Sequence, residues 1–366
     1  MRRASLVLGA VACTWLLGLT FARAAGEAPS GWNAKAAATY LDDELAWWAS
    51  WPNATRDHGT FCVSCHTATP YVLARPALAE ALGETGPSAA SHRLFENVAT
   101  RVRLWREVEP WYPDQTRGLP KTSESRGTEA VLNALVLATR DARTGALADD
   151  TRQAFAHMWA QQMKTGPLDG AWAWLNFAYA PWEAPESPYF GAAMAVAALG
   201  AAPGGYAHSA EAQAGLARLG RFVGSSFDEQ ILFNRLTMIA AARQMEGLVT
   251  PAQRARTAAD VAALQEADGG WSLSRFGRFA RVDETPLDTA SDGYATALAV
   301  LALKSSTDAA HQAARAKGLA WLRSHQESSG RWSATSLNKN RDPKSDPARF
   351  MHHAATAYAV LALTDR

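Results

Sequence analysis

Four stretches of the chain are small or apolar at nearly every position, and the segments between them are apolar on one face only. The four stretches are residues 127–135, 190–198, 293–303 and 353–363. A pattern that is apolar all round predicts a helix that is buried on every side. The last two stretches are close copies of each other, with Thr296 and Thr356 in the same place 60 residues apart.

The segments between these stretches are predicted to form amphipathic helices. One begins with Thr250 as N-cap, Pro251 at the first helical position and Gln253 completing a capping box. Another covers residues 307–326, where basic side chains are interleaved with leucine and tryptophan. Buried and amphipathic helices that alternate in this way predict helical hairpins that stack or close into a ring, with inner and outer helices.

The composition also favours an all-α protein, because alanine is abundant and runs of β-branched residues are scarce. The formal net charge of +1 becomes −2 when Arg2, Arg3 and Arg23 are removed with the N-terminal segment described next. A chain so close to neutral lacks the basic surface that is typical of nucleic-acid binding. We therefore expect no nucleic-acid partner.

Residues 1–24 are predicted to be a secretory signal peptide. Met1-Arg2-Arg3 precedes an apolar stretch over residues 6–19, and Ala22-Arg23-Ala24 is a small-x-small cleavage site. The apolar stretch is shorter than the roughly 20 residues of a permanent membrane span, and no later segment suits one. We expect cleavage near Ala24 and a periplasmic protein without an integral membrane span.

The strongest chemical motif is the run Cys62-Val63-Ser64-Cys65-His66. Cys13 lies in the predicted signal peptide, where a lipid anchor is a weaker alternative, so Cys62 and Cys65 are the only cysteines of the mature chain. The Cys-x-x-Cys-His spacing is typical of covalent attachment of haem c. Two other interpretations stay open: a short-loop disulfide between Cys62 and Cys65, and a zinc site that His58 and His66 complete.

On the haem interpretation, His66 is the proximal ligand of the iron. No methionine occurs between the predicted signal peptide and Met158, so histidines are the nearby candidates for the sixth position. We favour His58, which lies eight residues before His66 in a loop with Gly59, over His92 near the start of a predicted helix. Ligation by two histidines lowers the reduction potential, whereas an open sixth position would bind a small molecule.

Two segments, Gln265 to Trp271 and Gln326 to Trp332, both read Gln-x-x-x-Gly-x-Trp and follow an amphipathic helix. Gln162 with Gly170 and Trp172 forms a third copy with a longer turn. These segments resemble the QW motifs of the squalene cyclase and prenyltransferase repeat family. The resemblance covers about residues 120–366 and implies an α/α toroid in which the motif residues hold successive hairpins together and have no catalytic role.

The chain departs from the catalytic motifs of that family. The pairs Asp42-Asp43 and Asp149-Asp150 lack the first aspartate of the Asp-x-Asp-Asp acid, and residues 42–46 do not form Asp-Asp-x-x-Asp. No cysteine after Cys65 is present for the zinc site of the protein prenyltransferases. Terpene cyclisation by the family's route is therefore not expected, and whether the protein is an enzyme stays open, an oxidoreductase being one hypothesis.

Polar residues in or beside the buried stretches are candidates for a substrate cavity. Glu129 lies within an apolar run, and Asp292 and His352 occupy equivalent positions just before two of the buried helices. These three are the candidate catalytic residues. The competing interpretation, which we weigh more heavily, is that each caps a helix or forms a structural ion pair. Trp182 and Glu183 form a further cluster after the third motif.

The sequence thus predicts a helical region over residues 25–120, continuous with the ring, and toroid repeats over residues 121–366. The leading hypothesis is a periplasmic mono-haem c-type protein that transfers electrons to or from a partner protein, or a hydrophobic small molecule bound in the cavity. The alternatives are a haem-free toroid enzyme, cyclase-like or a lyase, that uses cavity acids, and a binding scaffold with a Cys62–Cys65 disulfide.

Overall fold

The computed structural model describes residues 31–365, so the predicted signal peptide lies outside the described residues. In this part the secondary structure is helical, with no strand. The α-helices are α1 Ala34–Ser50, α2 Ala68–Leu82, α3 Ala89–Arg103, α4 Asp114–Arg117, α5 Lys121–Ala142, α6 Asp149–Gln161, α7 Ser187–Ala201, α8 Ala210–Ser226, α9 Leu232–Ala241, α10 Pro251–Ala262, α11 Gly293–Leu303, α12 Ala309–Ser324 and α13 Arg349–Thr364.

The helices form two concentric rings. The inner ring consists of α2, α5, α7, α9, α11 and α13, each packed against the next, and it closes because α13 packs against α2. Helices α1, α3, α6, α8, α10 and α12 pack on the outside of this ring. The protein is therefore an all-α, α/α toroid, as predicted, and the helices before residue 120 are part of it.

The predicted pattern of buried and amphipathic segments is confirmed. The four apolar stretches lie in the inner helices α5, α7, α11 and α13, and every residue of α11 is buried. The capping box of α10 is formed: the Thr250 hydroxyl accepts from the backbone N–H of Gln253, and the Gln253 side chain accepts from that of Thr250. No helix of residues 31–365 combines the length and apolarity needed to cross a membrane.

The three motif glutamines tie the hairpins together in the same way. Each donates its side-chain amide to two backbone carbonyls at 2.9 or 3.0 Å, one in its own turn and one on the outer helix that follows in the ring. The acceptors are Gly170 and Gly215 for Gln162, Gly269 and Ala314 for Gln265, and Gly330 and Asn33 for Gln326.

The motif tryptophans anchor the preceding outer helix. Trp172, Trp271 and Trp332 are completely buried. Their indole N–H groups donate, at 2.7 to 2.8 Å, to carbonyls in the last turns of α6, α10 and α12. A buried indole with a satisfied N–H combines a large apolar contact with a fixed orientation. The motif residues therefore stabilise the ring.

The motif at Gln326 joins the last hairpin of the ring to the first helix. Gln326 donates to the Asn33 carbonyl and accepts from the Asn33 backbone N–H at 2.6 Å. Asn33 is also the N-cap of α1. Helix α1 therefore takes the place that α8 and α12 take for the other two motifs, and the N-terminal region closes the toroid.

We predict that Gly330→Ala destabilises the protein more than Gly247→Ala. Both glycines have positive φ, +91° and +83°, where alanine costs about 1–2 kcal/mol. A methyl group at residue 330 would also lie 2.3 Å from the Ala36 carbonyl of α1, an overlap that adds about 1–3 kcal/mol, whereas residue 247 has open space around it. Urea denaturation measures both variants, and equal losses would contradict the role given to this closure contact.

Candidate functional site

The segment from Cys62 to His66 lies between α1 and α2, at the end of the toroid where the inner helices begin. Its backbone is held on both sides. The Cys62 N–H donates to the Ala54 carbonyl at 2.9 Å, and the Trp48 indole donates to the Cys62 carbonyl at 2.7 Å. The Ser64 hydroxyl accepts from the backbone N–H groups of Thr67 and Ala68 at the start of α2. The motif therefore has a fixed conformation within the ring.

Both cysteines are free thiols with almost no exposed surface. Burial raises the pKa of Cys62 to about 12 and that of Cys65 well above its ordinary value. Thiols held protonated in this way are poor nucleophiles and poor metal ligands. Within residues 31–365, no three His, Cys, Asp or Glu side chains converge as a metal site.

Aromatic rings surround the imidazole of His66. Phe350 stacks on it with ring centroids 3.7 Å apart, Trp48 meets it edge-on at 4.8 Å, and Trp182 lies at 5.9 Å. Burial lowers the pKa of His66 well below its ordinary value, so the ring is neutral. Because Phe350 covers a ring face and Nδ1 has a partner, the Nε2 edge is the side from which a metal can be bound.

A chain of polar contacts runs outward from His66. Its Nδ1 lies 2.8 Å from the Thr67 hydroxyl, which lies 2.7 Å from Nδ1 of His353. Nε2 of His353 is 2.6 Å from Oε2 of Glu44, an ion-pair distance with poor hydrogen-bond alignment. Arg349 donates to the same oxygen at 2.6 Å. The predicted site residue was His352, but it is the neighbouring His353 that joins this chain of contacts. The sequence signal for His353 was a histidine within an otherwise apolar buried stretch.

The two candidate sixth ligands lie on the segments before and after the motif. His58 lies at the tip of a tight turn with φ +52°, its side chain is 42% exposed, and its nearest charged partner is Asp57 at 3.8 Å. His92 is exposed in the first turn of α3. No described contact joins either residue to His66. A sixth ligand from His58 or His92 therefore stays a prediction.

Glu129 forms a buried ion pair with Arg101. Its carboxylate accepts two hydrogen bonds from Arg101, at 2.5 and 3.2 Å, and neither side chain is exposed. Asp57 and the Thr60 hydroxyl complete the surroundings of the Arg101 guanidinium. The pair joins α3 to α5 and to the loop before Cys62. Glu129 thus forms a structural ion pair, which was the competing interpretation of this residue.

Asp292 and His352 have matching structural roles. Asp292 is the N-cap of α11, and its side chain also accepts from the backbone N–H of Leu273, two residues after Trp271. His352 accepts from the N–H of Ala334, two residues after Trp332. Burial raises the pKa of Asp292 to about 7 and lowers that of His352 to about 4. Both side chains thus hold the turn that follows a motif tryptophan.

A cavity of about 820 Å³ lies at the other end of the toroid, between the C-terminal halves of the inner helices. Its wall is mostly apolar, and charged groups such as Glu80, Arg143 and Arg243 lie at its partly open mouth. Glu129, Asp292 and His352 are not among the residues that line it. Residues of the wall include Val72, Leu135, Met194, Thr237, Leu301 and Tyr358.

Buried aromatic side chains connect this cavity with His66. Tyr358 of the cavity wall lies 4.8 Å from Tyr294, measured between ring centroids, and Tyr294 stacks on Trp182 at 6.1 Å. The Trp182 indole lies 3.3 Å from the Tyr294 hydroxyl. Trp182 in turn contacts His66. Next to it, burial raises the pKa of Glu183 to about 7, which leaves a carboxyl group near the cysteines that ionises close to neutral pH.

The residues present provide the donor set of haem c. Cys62 and Cys65 are unpaired thiols on one loop, and the adjacent His66 is neutral with its Nδ1 engaged, so that Nε2 is the nitrogen left for iron. Metal-bound histidines normally have such a partner on the other ring nitrogen. The aromatic rings around His66 are of the kind that pack against a porphyrin. On donor chemistry, the site fits the group that the motif implies.

The comparisons with known proteins agree with a squalene-cyclase-like toroid fold. The sequence profile of the squalene-hopene cyclase C-terminal domain matches residues 230–365, which include the motifs at Gln265 and Gln326. A search of curated proteins finds no match. The family match therefore supports the resemblance in the C-terminal part of the ring.

Solved structures with a similar course of the chain include terpene cyclases and a glycosidase. The type II terpene cyclase MstE from Scytonema is 15% identical, with 90% of this chain and 99% of that one covered, at a TM-score of 0.47. A glycosidase variant is 14% identical, covering 90% and 96%, at 0.49. The ent-copalyl diphosphate synthase from Streptomyces platensis is 17% identical at 0.45, and 81% of this chain spans 50% of its length. At these TM-scores the likenesses carry no functional information.

We predict that Glu129→Gln destabilises the fold by about 3 kcal/mol, because it leaves the Arg101 charge buried with only the partly exposed Asp57 as partner. The matched control is Asp150→Asn, which breaks the exposed Arg103–Asp150 pair and should cost less than about 1 kcal/mol. Chemical denaturation of both variants measures the difference. A stable Glu129→Gln protein would contradict the structural role given to this carboxylate.

Proposed function

We propose that this protein is an exported, periplasmic mono-haem c-type protein in which a squalene-cyclase-like toroid holds the haem at one end and a hydrophobic molecule at the other. The observation that carries the proposal is the arrangement of Cys62, Cys65 and His66. The two thiols are free on one fixed loop, and the imidazole beside them has its Nδ1 bonded to Thr67.

In this proposal Cys62 and Cys65 would hold the haem by adding their S–H groups across its two vinyl groups, and His66 would be the ligand of the iron through Nε2. The group, when bound, supplies one-electron oxidation and reduction. The protein fixes the orientation of His66 through Phe350 and Trp48. Because both thiols are fully enclosed in the folded ring, attachment has to take place before the ring closes.

The cavity at the other end of the toroid gives the second half of the proposal. An apolar pocket of about 820 Å³ with charged groups at its mouth suits a hydrophobic small molecule that carries a polar end. The rings of Tyr358, Tyr294 and Trp182 provide a path of closely spaced aromatic groups from this pocket to His66. We infer that electrons pass along this path between the bound molecule and the haem, and that a partner protein exchanges them with the haem.

The haem-free alternative in which Glu129, Asp292 or His352 performs acid catalysis has less support. Each of these side chains is engaged by an ion pair or a backbone N–H, and none faces the cavity. The other alternative, a binding scaffold with a Cys62–Cys65 disulfide, is distinguished from the haem protein by the next experiment.

The direct test is a pyridine haemochrome spectrum of the full chain, expressed with its signal peptide in a host that matures c-type cytochromes. We expect one covalent haem per chain, retained after extraction with acidified acetone. The Cys62→Ala/Cys65→Ala variant is the control and should carry none. Wild-type protein without haem, with its two cysteines oxidised or metal-bound, would overturn the proposal.

We also predict that Tyr294→Leu slows reduction of the haem by an apolar hydroquinone that binds in the cavity. Each hydroquinone that becomes a quinone releases two electrons and two protons, and so reduces two haem groups. Tyr294→Phe keeps the ring and should react like the wild type. Phe155→Leu removes a fully buried ring that lies 4.2 Å from the ring of Tyr206, outside the aromatic path, and is the matched control.

Stopped-flow spectroscopy with ascorbate as the hydrophilic reductant completes this comparison. Reduction by ascorbate, which does not pass through the apolar cavity, should be the same in all three variants. An equal rate of hydroquinone oxidation in Tyr294→Leu and in Phe155→Leu would contradict electron transfer along the aromatic path. The haem assignment would not be affected.

A further inference from the structure

The contacts beyond His66 end on a carboxylate whose charge is fixed. Burial opposes ionisation of Glu44, but the contacts with His353 and Arg349 outweigh it and hold the pKa of Glu44 below its usual value. An ionised carboxylate can only accept hydrogen bonds. The nitrogen of His353 that lies 2.6 Å from it must therefore carry a proton.

The ionised state of Glu44 determines where each proton lies in the chain of contacts between Glu44 and His66. Burial lowers the pKa of His353 in spite of its contact with Glu44, so the ring is neutral and its Nδ1, opposite the protonated Nε2, is an acceptor. The Thr67 hydroxyl, 2.7 Å from that Nδ1, must then donate to it. Because the Thr67 hydroxyl donates its only proton to His353, it can only accept from His66. Nδ1 of His66 must therefore be the protonated nitrogen.

The reverse order of protons is ruled out by the same contacts. It would require His353 to present an unprotonated Nε2 to Glu44, which places two lone pairs 2.6 Å apart. Protonation of Glu44 would relieve that repulsion, but Arg349 donates to the same carboxylate oxygen and favours the charged form. The tautomer of His66 is thus set by the Glu44 carboxylate, which lies three contacts away.

We propose that Thr67, His353 and Glu44 are positioning residues that hold His66 in the Nδ1–H tautomer, aim the lone pair of its Nε2 at the iron and increase its electron donation. This inference deepens the proposed function and rests on it. Hydrogen bonding of the outer ring nitrogen raises the basicity of a ligating imidazole. Here the acceptor is the Thr67 hydroxyl, which donates in turn to His353 beside the Glu44 carboxylate. A more basic ligand stabilises the oxidised iron, so the chain lowers the reduction potential of the haem.

The charged and titratable groups that face His353 come from three elements. Glu44 and Tyr40 lie on α1, Arg349 precedes His353 on α13, and Arg331 lies in the turn after α12. Tyr40 is neutral, because burial raises its pKa above the ordinary value. Glu44 is thus the anionic group that lies against Nε2 of His353, and the arginines secure its charge.

The test is the reduction potential of Thr67→Val, which keeps the shape of the side chain and removes the hydroxyl link. We expect a shift of about tenfold in the ratio of reduced to oxidised haem, a rise of about 59 mV for one electron. Thr69→Val is the matched control. Its buried hydroxyl, two residues further on, has no hydrogen-bond partner in the described structure, so its removal should leave the potential unchanged.

A second variant distinguishes loss of the hydrogen-bond chain from a local change in folding caused by Thr67→Val. Glu44→Gln removes the charge at the far end of the chain and keeps the volume, and should raise the potential in the same direction. An unchanged potential in both Thr67→Val and Glu44→Gln, with haem bound, would overturn this inference and leave the proposed function standing. Equal shifts in Thr67→Val and Thr69→Val would also overturn it.

The tautomer has a readout that does not need haem. In the full chain with ¹⁵N-labelled histidine, the nitrogen shifts of His66 should show the Nδ1–H form, and Thr67→Val should alter its proportion while Thr69→Val does not. If no haem is found, this spectrum still tests the proton assignment. An Nε2–H tautomer in the haem-free wild-type protein would contradict it.

Discussion

The ring closes where Gln326 exchanges two hydrogen bonds with the backbone of Asn33, and the burial of the inner helices depends on that closure. A helix such as α11, with no polar face, is stable in water only when neighbours cover it on all sides. An open array would leave the faces of α13 and α2 exposed at its two ends. Glutamine contacts join successive hairpins elsewhere in the ring. A contact of the same kind, made by Gln326, joins the last hairpin to α1.

Closure also determines where the cysteine motif lies. Because α2 is an inner helix between α13 and α5, the loop that precedes it reaches the end of the toroid at which the inner helices begin. The first turns of α11 and α13 bring Tyr294, Phe350 and His353 to the same end. The surroundings of His66 thus come from segments almost 300 residues apart in sequence, and they exist only in the closed ring.

The sequence predicted what depends on local patterns. Apolar periodicity, the capping box at Thr250 and the glutamine–tryptophan spacing are short-range signals, and the helices and the toroid follow from them. The partners of Glu129 and the path from His66 to Glu44 could not be predicted, because they depend on which side chains the closed ring brings together. His352 and His353 differ by one position on a helix, and only the packing of α13 decides that His353 faces Thr67.

The most direct test of the central claim is an anomalous difference map at the iron absorption edge, from crystals of the exported protein. The account predicts a single iron peak within bonding distance of Nε2 of His66, with continuous density from the porphyrin to Cys62 and Cys65. A closed toroid with no anomalous peak at His66, or with its iron elsewhere, would contradict it.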